Sequence, residues 1–309
     1  MMRKKYLHSC GGVLLFAIMA LAVFARQSVA SEKETLIIGM QDSLVSLDPA
    51  KAYDAVPLGV TSQLYETLVR FEEDSTHAVP ALAESWEIGA DGKTWTFHLR
   101  KGLSFISGNP INADAVVYSL TRAIKINNDP AWLLTQFGLN DMSIRKVDDS
   151  TVSFTLDKNY APTLFLLCLG FNVASILDAN VVKAQEQQGD WGSAWLEEHS
   201  AGSGAFILEK REPERATLQT NPNYWGVKPA TKNIVVVHVA EPIEQAIFLE
   251  KGDIDLAWDL QPDQVRRLEA LPDIQIFETP TFTTVHFVMN VGFEPLANIP
   301  LFSFSNDVF

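Results

Sequence analysis

Ser203, set between Gly202 and Gly204, is the side chain that most invites a chemical reading. A serine in a tight glycine turn is how esterase nucleophiles and phosphate loops are presented to substrate. The spacing here fits neither. A Gly-x-Ser-x-Gly elbow needs glycines at 201 and 205, which are Ala201 and Ala205, and no Lys-Ser/Thr follows for a phosphate loop. The six histidines are scattered, with no His-Glu-x-x-His and no clustered Cys/His spacing that would hold a metal. His238 lies in the Val/Ile run from Ile234 to Val239 and reads as a strand residue rather than a ligand. Cys168, in the apolar run Phe165-Leu166-Leu167-Cys168-Leu169, reads as a small buried hydrophobe. A hydrolase or metalloprotein is therefore only a distant alternative. The expectation is no enzyme: no catalytic residue, no metal ligand, no cofactor.

Positioning falls to the elements around these residues. Ser85 to Ile88 and Thr94 to Leu99 flank Ala90-Asp91-Gly92-Lys93, and an Asp-Gly between alternating apolar and polar residues predicts a β-hairpin. Trp95, Phe97 and Leu99 then share one buried face, with Thr94, Thr96 and His98 on the other. A helix should follow. Asn112 supplies an N-cap acceptor, Asp114 suits the positive end of the dipole, and Ala113, Val116, Val117, Leu120 and Ile124 recur at helical spacing.

Leu36 to Met40 reads as a short buried strand. Val60, Leu64 and Leu68 form a helical stripe after Lys51 to Pro57, a stretch too polar and broken for core. Trp132, Leu133, Leu134 and Phe137 either pack or face a cleft. A turn at Val147 to Thr151 feeds a strand through Val152, Phe154 and Leu156, and the nearly all-apolar Ala161 to Leu169 predicts a buried helix. Helical patches are expected at Asp178 to Gln187 and Asp190 to Glu198, and strands at Ala216 to Thr220 and Ile234 to Val239. A helix from Ile243 to Lys251, opened by Pro242 and closed by Gly252, leads to a strand from Ile254 to Trp258. Ligands of open α/β sheets gather outside the carboxyl ends of strands, which makes Trp258 and Asp259 candidate cleft residues.

The first thirty residues have the three regions of an export signal. Arg3, Lys4 and Lys5 precede an apolar run from Gly11 to Ala25, and Ser28-Val29-Ala30 offers small residues to a peptidase. Cys10 lies before that run, not at its end, so a periplasmic protein without a lipid anchor is expected. Loss of the leader removes four basic residues and no acid, so the formal charge of −14 becomes −18, which disfavours nucleic acid and anionic membranes as partners. Only Cys168 of the two cysteines remains, so no internal disulfide can form. The mature length predicts two lobes or more.

The stretch from Pro80 to Ser119 resembles the signature region of the family 5 extracellular solute-binding proteins, the peptide, nickel and opine receptors of bacterial ABC importers. The resemblance extends through Leu47-Asp48-Pro49, Gly202-Ser203-Gly204-Ala205-Phe206, Asn221-Pro222-Asn223-Tyr224-Trp225-Gly226 and Gly252-Asp253-Ile254-Asp255-Leu256, in the family's order. Ala205 stands where members usually carry Pro.

The resemblance implies an α/β fold: a periplasmic-binding-protein type II-like lobe with a mixed sheet and an inserted α+β domain. Residues 31–70 and 174–281 would form lobe I, 71–173 the inserted domain, and 282–309 a hinge strand and the start of lobe II. The implied function is a periplasmic receptor, expected to be monomeric, that captures a di- or oligopeptide and delivers it to the membrane permease of an ABC importer. Nickel, opine or another solute remains an alternative. By position, Tyr53, Asp54 and Ala55 inherit a ligand contact; the bland alternative is a solvated loop with one packed tyrosine. Thr281 to Asn290 resembles the strand that crosses between lobes, and Thr281 and Thr283 would hydrogen-bond ligand backbone. After Asn298-Ile299-Pro300 the resemblance stops, so the second lobe is expected to be missing, leaving a C-terminally truncated receptor or a non-functional remnant of one.

Overall fold

The computed structural model describes residues 34–72, 75–258 and 260–277. The chain divides between Gln264 and Val265 into two units, and all elements before the last helix lie in the first. Strand β1 (Thr35–Met40) opens it, and a loop leads to α1 (Ala55–Leu64). Val60 and Leu64 form the buried stripe expected of this helix, but Leu68 does not join it, because Tyr65 is already extended at φ −124°. The helix also starts earlier than the polar stretch suggests. Val56 and Pro57 are buried in its first turn, where proline sacrifices no hydrogen bond because the first amides of a helix have no partner.

The middle of the chain builds its own layer. Strands β2 (Val69–Phe71) and β3 (Ala78–Pro80) pair as a ribbon, followed by β4 (Ala83–Ile88) and β5 (Thr94–Leu99), the predicted hairpin. Its turn closes through Asp91, whose carboxylate accepts from the Lys93 and Thr94 amides at 2.9 Å, with Gly92 at φ +67°. The alternation on β5 is realised: Trp95, Phe97 and Leu99 are buried. Helix α2 (Ala113–Ile126) starts where Asn112 accepts from the Ala115 amide at 3.0 Å and ends at Asn127 in the left-handed conformation.

A short α3 (Trp132–Thr135) buries Leu133 and Leu134 and leaves Trp132 exposed. Strands β6 (Ile144–Asp148) and β7 (Thr151–Thr155) complete an antiparallel sheet in the order β4-β5-β7-β6, so Val147 and Asp148 belong to a strand rather than to the predicted turn. Helix α4 (Pro162–Leu169) packs Phe165 edge-on to Trp95 and Phe137, but Leu164 is 42% exposed, so this helix is buried on one side only. These elements share one apolar core, drawn almost entirely from Leu68 to Ile176.

A second core joins Met40 to Tyr65 with Leu177 to Val236, and Tyr118 of α2 reaches into it. Here α5 (Ala179–Ala184) is capped by Asp178, α6 (Ser193–Leu196) is shorter than predicted, and β8 (Phe206–Glu212), β9 (Arg215–Thr220) and β10 (Asn233–His238) follow. Helix α7 (Pro242–Lys251) ends at Gly252 with φ +76°, as expected of a glycine past a helix end. Strand β11 (Leu256–Ala257) is only two residues long, and α8 (Pro262–Leu268) spans the division between the units. The sheet order is β11-β1-β10-β9-β8, with β1 parallel to both β10 and β11 and the remaining pairs antiparallel.

An ion pair links the two cores. Arg122 of α2 and Asp48 form a two-toothed contact at 2.8 and 2.6 Å with both side chains fully buried. Arg122 Nε also donates to the Trp191 carbonyl, and Asp48 accepts from the Ser193 hydroxyl and the Ala50 amide.

Candidate ligand-binding site

Three parallel strands end at one edge of the five-stranded sheet. Met40 lies opposite His238, and Gly39 opposite Ala257, so the chain leaving β1, β10 and β11 emerges side by side. Gln245 of α7 fastens these exits. Fully buried, it donates to the Val239 carbonyl at 2.9 Å and accepts from the Trp258 amide at 3.0 Å. Val239 also donates to the Met40 carbonyl, and the Trp258 amide reaches the Gly39 carbonyl. The Trp258 ring is 49% exposed at this edge. Gly39 packs closely here, since a Cβ would lie 2.7 Å from the Ile254 Cδ1 and the tip of that side chain would have to shift.

The Tyr53 loop is presented differently. Its base is locked: the Lys51 and Ala52 amides both donate to the Asp48 carbonyl, Ala52 is buried, and Lys51 Nζ pairs with Glu197 at 2.6 Å. From that base Tyr53, Asp54 and Ala55 all face solvent, with Tyr53 at 45% exposure. Asp54 is the N-cap of α1 but makes no side-chain capping bond, so the first amides of that helix have no side-chain partner. Between loop and strand ends, Asp42, Leu44, Val56, Glu214 and His238 line a depression of about 10 Å³, room for about one water. His238 is paired with Glu214 there. Asp259, Thr281 and Thr283 lie outside the described residues.

The serine turn is structural. Ser203 is buried and donates to Glu66 at 2.8 Å, a carboxylate held in turn by the indole of Trp225. Glu66 also accepts from Trp225 Nε1 at 2.9 Å, so one carboxylate ties the glycine turn to the Asn221–Gly226 turn. Burial raises its pKa, against the lowering effect of bonds from Trp225, Ser203 and Tyr224. Burial, with the charge of Glu66 beside it, pushes the Tyr224 phenol to about 12. Both glycines are obligatory, since a Cβ at Gly202 or Gly204 would meet the Leu64 or Gln63 carbonyl at 2.0 or 2.2 Å. Among the described residues no group of three or more His, Cys, Asp or Glu could hold a metal, and no helix is long and apolar enough to cross a membrane.

The parallel strands thus deliver an exposed aromatic at their carboxyl edge, and the Tyr53 loop leads into a helix start without a side-chain cap. The chain belongs to the bacterial extracellular solute-binding proteins, family 5: the profile of that family's middle region matches residues 77–301. This is a family of solute receptors of ABC import, not of enzymes. Similar proteins include the probable D,D-dipeptide-binding periplasmic protein DdpA of Escherichia coli, 33% identical over 91% of this chain and 54% of that one. Among solved structures, periplasmic DppA of Helicobacter pylori in complex with the peptide STSA matches with a TM-score of 0.67 and 30% identity, over 77% of this chain and 49% of that chain. MoaA of A. tumefaciens R10, in complex with mannopinic acid, matches with a TM-score of 0.67 and 28% identity, over 78% and 48%. The chain thus spans about half the length of the relatives it matches.

Proposed function

We propose that this protein is a periplasmic receptor that captures a di- or oligopeptide and hands it to the permease of an ABC importer. The observation that carries this reading is Trp258, exposed at the carboxyl edge of the parallel strands; the exposed Tyr53-Asp54-Ala55 loop at an uncapped helix start adds to it. The free amides of α1 suit a ligand carboxylate or backbone carbonyl, and Trp258 offers a flat apolar face. A D,D-dipeptide and the peptide STSA, named for two relatives, favour peptide over the other solutes of the family. The separate cores, one from Leu68 to Ile176 and one from the flanking segments, support an inserted domain within a lobe. The receptor acts as a monomer.

The test is calorimetric titration of the 309-residue protein with D-alanyl-D-alanine and with STSA, repeated on Tyr53→Ala and Trp258→Ala. Truncating a central aromatic of a ligand site costs roughly 2 kcal/mol, about thirtyfold in affinity. Each variant should therefore bind at least tenfold more weakly while melting close to the parent. Equal affinity in both variants, or tighter binding of mannopinic acid than of either peptide, would overturn the reading.

A further inference from the structure

A groove of about 410 Å³ lies away from the candidate site, lined by five consecutive residues of β8, Ile207 to Arg211, and by Trp195, Glu198 and His199 at the end of α6. Strand β8 is the outermost strand of its sheet. β9 occupies one of its edges, and among the described residues the other takes no backbone partner. An open strand edge facing a preformed groove is how domains accept an extended peptide as an added strand. The volume falls in the range of small-ligand sites. Trp195 and His199 stack with ring centroids 4.7 Å apart, giving a rigid flat wall.

The charges select among occupants. Lys210 is paired with Glu212 at 2.7 Å, and the Arg211 guanidinium is turned onto the carbonyls of Leu44 and Glu212. Glu198 and Glu209 are exposed and enter no ion pair with a described residue, so they are the groove's uncommitted charges. A bulge between Leu208 and Lys210 leaves Glu209 without a partner on β9 and keeps the edge from pairing with a long flat strand, which disfavours a second copy of this chain.

We propose that this groove binds a short basic peptide, added as a strand to β8 with a lysine or arginine between Glu198 and Glu209. The site shares no residue with the Tyr53 loop or Trp258, and its existence does not depend on the function proposed for them. The experiment follows amide hydrogen exchange of the whole 309-residue protein in the presence of acetyl-Val-Lys-Val-Arg-amide or acetyl-Val-Glu-Val-Glu-amide. Blocked termini leave the side chains as the only charges. The basic peptide should slow exchange within residues 207–211 and bind at least tenfold more tightly than the acidic one. Glu209→Gln should narrow that preference, and the double variant Glu198→Lys/Glu209→Lys should reverse it, both with an unchanged melting temperature because the two residues are exposed. Three results would overturn the proposal: no slowing at 207–211, equal slowing by both peptides, or a preference unmoved by charge reversal. Slowing confined to residues 40–55 and 258 would also overturn it while supporting the other site.

Discussion

Replacing Arg122 by alanine should be among the most damaging single changes this chain can suffer outside its aromatic core. Arg122 and Asp48 are both at zero exposure, and the guanidinium makes two bonds to the carboxylate and one to the Trp191 carbonyl. After truncation, Asp48 would keep only the Ser193 hydroxyl and the Ala50 amide as donors, an anion in an apolar interior without a counter-charge. Removing one partner of a buried pair costs about 3–5 kcal/mol, most of it the penalty of the charge left behind. Against a typical total of about 5–15 kcal/mol that is roughly a fifth of the stability or more. For a unit of this size about 3 kcal/mol lowers the melting temperature by roughly 6–12 °C.

The cause can be isolated from mere loss of packing. In the double variant Asp48→Asn/Arg122→Met the stranded charge is absent and most of the side-chain volume is kept. It should recover at least half of the loss, since a buried pair is often replaceable by neutral groups at little cost. Arg122→Lys should fall between, keeping the charge but not the planar fork. Thermal melts followed by circular dichroism, with urea titration for the free energies, decide the matter. Arg122→Ala melting within about 2 °C of the parent, or a double variant no more stable than the single one, would refute the reasoning.

Three further outcomes are expected. Burial raises the Glu66 pKa in the folded protein, so its contribution to stability is full below the ordinary glutamate value and is lost as pH rises through the folded value; Glu66→Gln should flatten that part of the stability–pH curve, read by urea titration from pH 4 upward. Gly204→Ala, with its Cβ forced to 2.2 Å from the Gln63 carbonyl, should cost about 3 kcal/mol or more in the same assay, whereas Gly102→Ala, strained in φ but with open space around it, should cost less. Burial pushes the Cys168 thiol to about 11, so it should resist iodoacetamide at pH 8 in native protein and react only in denaturant; stoichiometric labelling of the folded chain would contradict its placement.

The sequence was most legible where local chemistry and tertiary packing agree. The hairpin around Asp91-Gly92, the cap at Asn112 and the Pro242 to Gly252 helix each carry their signal within a few residues, and all three stand as expected. Legibility failed where a strand or helix is made by partners far along the chain. Strand β8, Phe206–Glu212, was not anticipated because its second half is Glu-Lys-Arg-Glu, with no alternation to read; it is a strand because β9 offers it a ladder. Leu68 follows the stripe of Val60 and Leu64 in spacing yet lies past the helix end, where Tyr65 is already extended and the Leu64 carbonyl accepts from the distant Gly204 amide.

The candidate site divides in the same way. Trp258 is proposed from a general rule about strand ends, and the Tyr53 loop from resemblance, but the residues that hold them in place gave no local sign. Gln245 looks like any polar residue on a helix until its two bonds, to Val239 and Trp258, show it joining the exits of β10 and β11, which the sheet sets on either side of β1. Asp48 reads as a turn residue before proline, and only the fold places Arg122 against it, 74 residues away. A buried polar side chain is affordable only when all its partners are supplied, and such partners come from elements distant in sequence. The residues that fix the loop and the strand exits are therefore the ones a linear reading overlooks, whereas the ones it points to, Tyr53 and Trp258, lie exposed at the surface.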